Sequence, residues 1–365
     1  MSILMVVKDQ GGTNGVLPVS KALKDFGYDV RLIANGKAIS LLADTRENYE
    51  VLRSPQEVLR RYPAPQAMIT SICSDGGVGR DLVPLIRGKC PTVAFHDYWG
   101  TRLLTGWRDL KYRPDFFVVN DELDAEIVSG AWPDYPKERL VISGYPMFDQ
   151  YAVKYDQEII LAEVSSKLGI EAQSKPIVLF PCGICSGASR LLSEVVGSLN
   201  ELQQDVFFIP RVHPKMKQNA PEEVELWSQA LRKFKGGTLI ADSSACDTQS
   251  LIKTAAVVLS DFSTTLLEAI LARKPNISIW YSDEVQREFR KEFGEITKLM
   301  PEPPFVKLGC SARATDKTHL GQLIADAICG RLKLESAQEK YFPLDGKNAQ
   351  RAAEFVDSLI FNEMV

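Results

Sequence analysis

The run VVLSDFSTTLLEAILARKPNISIW, residues 257–280, decides how this chain is read. Val257, Val258 and Leu259 make a short apolar strand. Ser260, Asp261, Phe262, Ser263, Thr264 and Thr265 make a polar turn, and a helix carrying Glu268 follows. An apolar strand that feeds a helix through a hydroxyl-rich turn is a seat for an anion. The free amides at the helix start face outward with about half a positive charge behind them, and the hydroxyls of Ser263, Thr264 and Thr265 add donors. A phosphate fits that arrangement. Glu268 follows Thr264 by four residues, so it shares the face of the turn, where its carboxylate can accept from the hydroxyls of a ribose. The turn and Glu268 together read as a cradle for a nucleoside diphosphate. The plainer reading is that the Ser and Thr residues cap a helix and Glu268 is a surface carboxylate near the positive end of the dipole.

Outward from this run, short apolar stretches alternate with amphipathic helical ones, the rhythm of α/β folds with parallel sheets. Strands are expected at residues 3–7, 29–33, 67–70, 92–95, 116–119 and 140–143. A second series is expected at 177–180, 206–209, 238–241, 257–259, 277–280 and 305–308. Helices fall between them, such as 17–26 with Gly27 as its stop. A chain of 365 residues exceeds one comfortable core, which stops growing near about 250–300 residues. Two Rossmann-like domains facing across a cleft are therefore expected, residues 1–150 and 151–340. A C-terminal helix in 341–365 is expected to return toward the first domain.

Composition narrows the classes. With 45% apolar and 25% charged residues the chain is globular, and no apolar run approaches the roughly 18 residues that span a bilayer. The opening strand meets Lys8 and Asp9 at once and lacks a basic leader, so it reads as a buried strand of a cytoplasmic protein rather than a signal peptide. A formal net charge of −4 with interspersed signs argues against nucleic-acid binding. Seven scattered cysteines, an odd number, suit reduced thiols. Cys182 and Cys185 form the only Cys-x-x-Cys pair, whereas a zinc site needs about four ligands, so no metal and no cofactor is expected.

Ligands of such folds gather at the carboxyl ends of strands, and the chemically able residues fall there. Gly11, Gly12, Thr13, Asn14 and Gly15 follow the first strand and read as a turn whose backbone admits a ligand, though neither a Gly-x-Gly-x-x-Gly fingerprint nor a Walker loop. The small-residue loop at 181–187 brings Gly183 and Ser186 to the same edge. Arg211, His213 and Lys215 follow the strand at 206–209 as phosphate partners. His96 and Asp97 end the strand at 92–95, so one imidazole from each domain can face the cleft. The alternative for His96 is a hydrogen-bonded structural histidine. Asp75 is a further carboxylate, with turn formation as its plainer role.

These residues carry a resemblance. Ser260-Asp261-Phe262-Ser263-Thr264-Thr265 with Glu268 and Lys274-Pro275 resembles the nucleotide-binding signature of GT-B fold glycosyltransferases, particularly the CDP-glycerol glycerophosphotransferase-like group. Arg211-Val212-His213-Pro214 matches the His-Pro motif of that group, and YFPLDG at 341–346 before a final helix resembles its ending. Phe95-His96-Asp97-Tyr98-Trp99-Gly100 is loosely similar to the segment that carries that group's proposed base, without its His-Gly dipeptide. Ser143-Gly144-Tyr145-Pro146-Met147-Phe148-Asp149 resembles the domain junction shared with the nonhydrolysing UDP-N-acetylglucosamine 2-epimerases. Those enzymes carry Ser-Gly-Gly where this chain has Ser263-Thr264-Thr265.

The resemblance implies metal-independent transfer from a nucleotide-activated donor, UDP- or CDP-linked, held by the second domain, to a hydroxyl acceptor on the first. Such work belongs to cell-envelope glycan synthesis, where a lipid-linked acceptor would bring the chain to the inner face of the membrane. The turn at Ser263, with Arg211 and His213, would stabilise the leaving diphosphate, and His96 or Asp97 would take the acceptor's proton. Two other readings stay open. One is a nucleotide-sugar epimerase or hydrolase, which needs extra carboxylates such as Asp75 and Asp97. The other is a nucleotide-binding protein without turnover.

Overall fold

The computed structural model describes residues 2–72, 76–213 and 215–362. The chain divides into two compact units: residues 1–153, 295–301 and 344–365 form one, and residues 154–294 and 302–343 the other.

Unit 1 is built on a seven-stranded parallel sheet in the order β3-β2-β1-β4-β5-β6-β7. The strands are β1 Ile3–Val7, β2 Val30–Ala34, β3 Tyr49–Glu50, β4 Ala67–Ser71, β5 Thr92–Phe95, β6 Phe116–Val119 and β7 Leu140–Ile142. Their near-continuous apolar runs suit strands covered on both faces, and β1 is buried throughout. The two-residue β3 has no expected counterpart in the sequence. Strand order reverses between β1 and β4, which pair from Ile3↔Ala67 to Val6↔Thr70.

The first helix corrects the expectation of a glycine turn. It runs Gln10–Asp25, so Gly11, Gly12, Thr13, Asn14 and Gly15 are its first turns. Asp9 is its N-cap, accepting from the amide of Gly12 at 3.1 Å. The glycines serve close packing rather than a bend: a methyl at Gly11 would collide with Asp97, and one at Gly15 would come within 2.9 Å of the Tyr145 ring. The C-terminal helix Asn348–Asn362 lies on this helix, with Ala349, Ala352, Ala353, Val356 and Ile360 in one cluster with Val16, Val19 and Leu23. Asp149 caps it, accepting from the amides of Asn348 (3.0 Å) and Ala349 (2.8 Å). The segment 295–301 joins this unit through Ile296 and Met300, both buried, with Ile296 packed against Gly100.

Unit 2 carries a six-stranded parallel sheet in the order β10-β9-β8-β11-β12-β13. Its strands are β8 Ile177–Pro181, β9 Val206–Arg211, β10 Gly237–Leu239, β11 Val257–Ser260, β12 Asn276–Ser278 and β13 Ala312–Arg313. The strand expected at 305–308 is instead the short helix Pro304–Lys307, with a proline at its first position. The reversal of strand order falls between β8 and β11. Among the described residues no helix is long and apolar enough to cross a membrane.

Candidate functional site

In unit 2 the loop after β8 and the turn after β11 meet at the point of reversal, where ligands of open parallel sheets bind. Asp261, fully buried, ties them together. Its Oδ2 accepts from the amides of Gly183 (2.7 Å) and Ile184 (2.9 Å), and its Oδ1 from the amide of Phe262 (2.6 Å). Burial pushes its carboxyl up while these amides and that of Ser263 pull it down, leaving it above its ordinary value. The Gly183 amide is therefore spent on Asp261, so Gly183 can line the edge but not donate to a ligand. Gly183 must be glycine because a Cβ would stand 2.8 Å from that of Ser263. Ser186, in the same loop, is half-buried.

The strand, the turn and the helix after it form as expected. Ser263 is the N-cap of the helix Thr264–Leu271, its Oγ accepting from the Thr265 amide at 3.3 Å and from the Thr265 hydroxyl at 3.0 Å. Thr264 is exposed and Glu268 half-buried one turn on. Below them Ser278 Oγ donates to the Asp261 carbonyl at 2.7 Å, and Ser260 Oγ donates to that of Pro181 at 2.5 Å, so the turn rests on buried hydroxyls.

Arg211 closes β9 and donates to the Cys246 carbonyl at 2.9 Å. His213 follows, half-buried. Its Nδ1 accepts from the Lys215 amide at 3.1 Å and faces the Cys185 thiol at 3.3 Å. Burial pushes the Cys185 thiol up, so it stays protonated and acts as donor. Burial, with Lys215 nearby, pushes the imidazole down. His213 is therefore neutral, with its proton on Nε2, and that N–H has no acceptor among the described residues. The Lys215 side chain is exposed. Pro214 of the His-Pro dipeptide lies outside the described residues.

A second helix start in unit 2 is already filled. Glu223 accepts from the amides of Gly187 (2.9 Å) and Ser189 (2.8 Å) at the head of Ala188–Asn200. Burial lifts its carboxyl, but the bonds from Ser189 and Gly187 and the charge of Arg190 outweigh that. The protein's own carboxylate sits in this anion seat.

In unit 1 the candidates after β5 part company. His96 is 1% exposed. Its Nδ1 meets Asp124 Oδ1 at 2.8 Å and its Nε2 meets the Thr101 carbonyl at 3.2 Å. Asp124 Oδ2 is held by the amide and side chain of Asn120, both at 3.0 Å. Burial pushes the imidazole down, but Asp124, together with Asp97 and the Thr101 carbonyl, raises it overall. Both ring nitrogens face acceptors, so the ring holds two protons and offers no lone pair, which corrects its reading as a base.

Asp97 differs. Its Oδ1 is buried without a hydrogen-bond partner among the described residues, and its Oδ2 lies against Gly11. Burial pushes its carboxyl up to about 7. Asp9 adds to the rise, while His96 and the amides of Asp97 and Tyr98 oppose it.

Of the former turn residues, Gly12 and Thr13 are engaged by Asp9, the latter through its amide (3.0 Å) and hydroxyl (2.5 Å). The Gly11 carbonyl accepts from the Tyr145 hydroxyl at 3.1 Å, and Asn14 is half-buried. These bonds engage Gly11, Gly12 and Thr13 within the fold. Asp75 lies outside the described residues. Among the described residues no group of three or more His, Cys, Asp or Glu is set to hold a metal ion. Sequence reasoning missed Asp124, Glu223 and the clamp role of Asp261; each acts on a backbone or ring that only the fold brings near.

Two parallel sheets with these reversal points define a GT-B type fold, and the chain is a transferase enzyme. The profile of the family described as CDP-Glycerol:Poly(glycerophosphate) glycerophosphotransferase matches residues 101–357, and the chain belongs to that family. Asp97 and Gly11 precede the matched stretch. No curated protein matches the chain by sequence.

Solved structures align over nearly the whole chain. MnaA of S. aureus in complex with UDP has a TM-score of 0.66 at 14% identity and covers 100% of this chain and 98% of its own. The wall teichoic acid polymerase TagF has 0.58 at 14%, covering 100% and 90%. A glycosyltransferase from Rickettsia africae has 0.65 at 13%, covering 99% of each. At these identities the likeness is one of fold.

Proposed function

We propose that this transferase moves glycerophosphate from a CDP-linked donor to a hydroxyl of a glycerophosphate-bearing acceptor, without a metal ion, in the making of a cell-envelope polymer. The observation that carries the reading is Asp97, a half-buried residue whose Oδ1 is buried without a partner among the described residues and whose carboxyl is pushed up to about 7. A general base works best when its pKa lies near the working pH, and such a group contributes roughly a hundredfold to ten-thousandfold. The family description supports the donor and acceptor classes.

Unit 2 would hold the donor. The amides at Thr264 and Thr265, the Ser263 and Thr264 hydroxyls and the neutral Nε2–H of His213 would receive the charge that grows on the departing cytidine phosphate. Arg211 and Lys215 would add positive charge, Ser186 would line the loop, and Glu268 would accept from the ribose. Asp97 would take the acceptor's proton as its oxygen attacks phosphorus. Removing that proton during attack raises the nucleophile's charge only when the phosphorus is ready to receive it.

A UDP-linked sugar as donor and an epimerase or hydrolase are weaker readings. The fold is shared with a UDP-GlcNAc 2-epimerase, but Asp9, a carboxylate close enough to raise that of Asp97, is committed to capping Gly12. The test is release of CMP from CDP-glycerol by the purified chain, with and without a glycerophosphate oligomer and with chelator present. Release that depends on the oligomer supports the reading; equal release without it points to hydrolysis.

A further inference from the structure

Unit 1 has its own reversal point, between β1 and β4, and a small polar cavity of about 10 Å3 opens there at the carboxyl ends of both strands, room for one oxygen-sized atom. Lys8, Asn35, Gly77, Gly79, Arg80 and Trp107 line it, and among the described residues none of the lining is Asp or Glu. Two of its donors have no acceptor. Trp107 is 1% exposed, yet its Nε1–H is unpaired among the described residues, and so is the buried Nδ2 of Asn35. Buried N–H groups are nearly always satisfied, so two at one cavity point to an oxygen that belongs there.

The helix Val78–Ile86, nine residues long, starts at the same spot. Its N-cap is Gly77, at φ +115, and among the described residues no side chain caps its first amides. Two cations flank it. Lys8 Nζ lies 3.4 Å from the Gly76 carbonyl, and the Arg80 guanidinium packs against Gly76 while holding Asp81 Oδ1 at 2.8 Å and the Gly106 carbonyl at 3.1 Å. Asp81 offsets Arg80, but Asp81 does not line the cavity.

We infer that this cavity seats one oxygen of a phosphate group on the acceptor. Two lining residues carry buried N–H donors without partners among the described residues, the indole of Trp107 and the amide of Asn35, and the Lys8 ammonium lies beside them. Together with the helix start they offer hydrogen bonds and positive charge to an oxygen that only accepts. A tetrahedral oxyanion buries one oxygen and leaves the others at the mouth, near Lys8. The site lies along the same sheet edge as Asp97, since β5 neighbours β4 with Ser71 opposite Phe95. A phosphate held here would bring the acceptor chain to the base. The inference rests on the acceptor class proposed above and deepens it.

The test uses the full chain at constant ionic strength, with inorganic phosphate and a glycerophosphate oligomer as probes and chloride as control, read by thermal shift and calorimetry. A saturable effect is expected, tighter for the oligomer, whose several phosphates share one chain. Asn35→Asp, which adds a negative charge at the cavity, should abolish it, and Trp107→Phe, which deletes only the indole donor, should weaken it about tenfold. Both variants should keep the wild-type shift with CDP at unit 2, and a cooperative melting transition without ligand, like that of the wild type, reports that unit 1 folds.

No phosphate effect beyond chloride, or the same effect in both variants, would leave a buried water as the occupant and overturn the inference. Phosphate binding without oligomer binding would overturn the acceptor assignment. Absence of any CDP shift in the wild type would count against the donor reading, while the phosphate arms still judge the cavity.

Discussion

Asp261 Oδ2 accepts the amide hydrogen of Gly183 at 2.7 Å, joining the turn after β11 to the loop after β8. Three amides end on this one buried carboxylate, so the shape of the proposed donor seat depends on it. Asp261→Ala should lower the stability of unit 2 by about 3 kcal/mol, since unsatisfied buried donors cost about 1–3 kcal/mol each and some will find water. Gly183→Ala should cost about 1–3 kcal/mol through crowding. Urea unfolding checks both. A midpoint unchanged in Asp261→Ala would contradict the clamp.

Asp97 predicts opposite effects on activity and stability. With a folded-state value near 7 against 3.8, the native chain holds a proton that the unfolded chain has released between about pH 4 and 7. Stability from this group therefore falls as pH rises through that window. Asp97→Asn removes the buried charge, so its melting temperature at pH 8 should equal or exceed that of the wild type, the gap closing toward pH 4. The same variant should lose about 10²–10⁴ in kcat. Wild-type kcat/KM should fall below pH 7 with a slope of one proton.

His213 acts in this account as a neutral donor. His213→Ala should cost about 10² in kcat, the usual scale for one lost donor to a developing anion. His213→Gln, which restores an N–H, should recover part of it. Because burial holds the imidazole below its ordinary value, the pH profile should show no His213 inflection above about 6.5. Equal losses in both variants would deny the donor role.

His96 and Asp124 form a buried pair whose loss should be structural. Asp124→Ala strands a buried imidazolium and should destabilise unit 1 by about 3–5 kcal/mol. The His96 value is raised overall, so the pair's contribution is fully present below about pH 6.5 and lost as pH rises through the folded value. Melting curves of wild type and Asp124→Ala at pH 6 and 9 measure this, and the gap should shrink at pH 9.

Much of the architecture was legible because strands buried on both faces leave unbroken apolar runs, as in β1, β8 and β11. The Ser263 cap was legible for the same local reason: its hydroxyl bonds two residues ahead. Failures came where distant contacts override local preference. Gly11, Gly12 and Gly15 read as a turn by propensity, yet Asp97 and Tyr145 press so closely on Gly11 and Gly15 that only glycine lets the helix pass. Residues 305–308 are too short an apolar run for periodicity to separate strand from helix, and Pro304 at the helix start was the overlooked signal. The difference between His96 and Asp97 could not be read at all. It arises from Asp124 and Thr101 closing around one ring while Asp97 Oδ1 is left unpaired.

The most direct measurement is single-turnover CMP release from CDP-glycerol with a glycerophosphate oligomer, comparing wild type, Asp97→Asn and Glu268→Ala, with donor affinity measured alongside. The account predicts oligomer-dependent release in the wild type. It predicts at least a hundredfold loss in Asp97→Asn with donor affinity unchanged, and about tenfold weaker donor binding in Glu268→Ala. Full-rate release by Asp97→Asn, or no release by the wild type with any acceptor hydroxyl supplied, would contradict it.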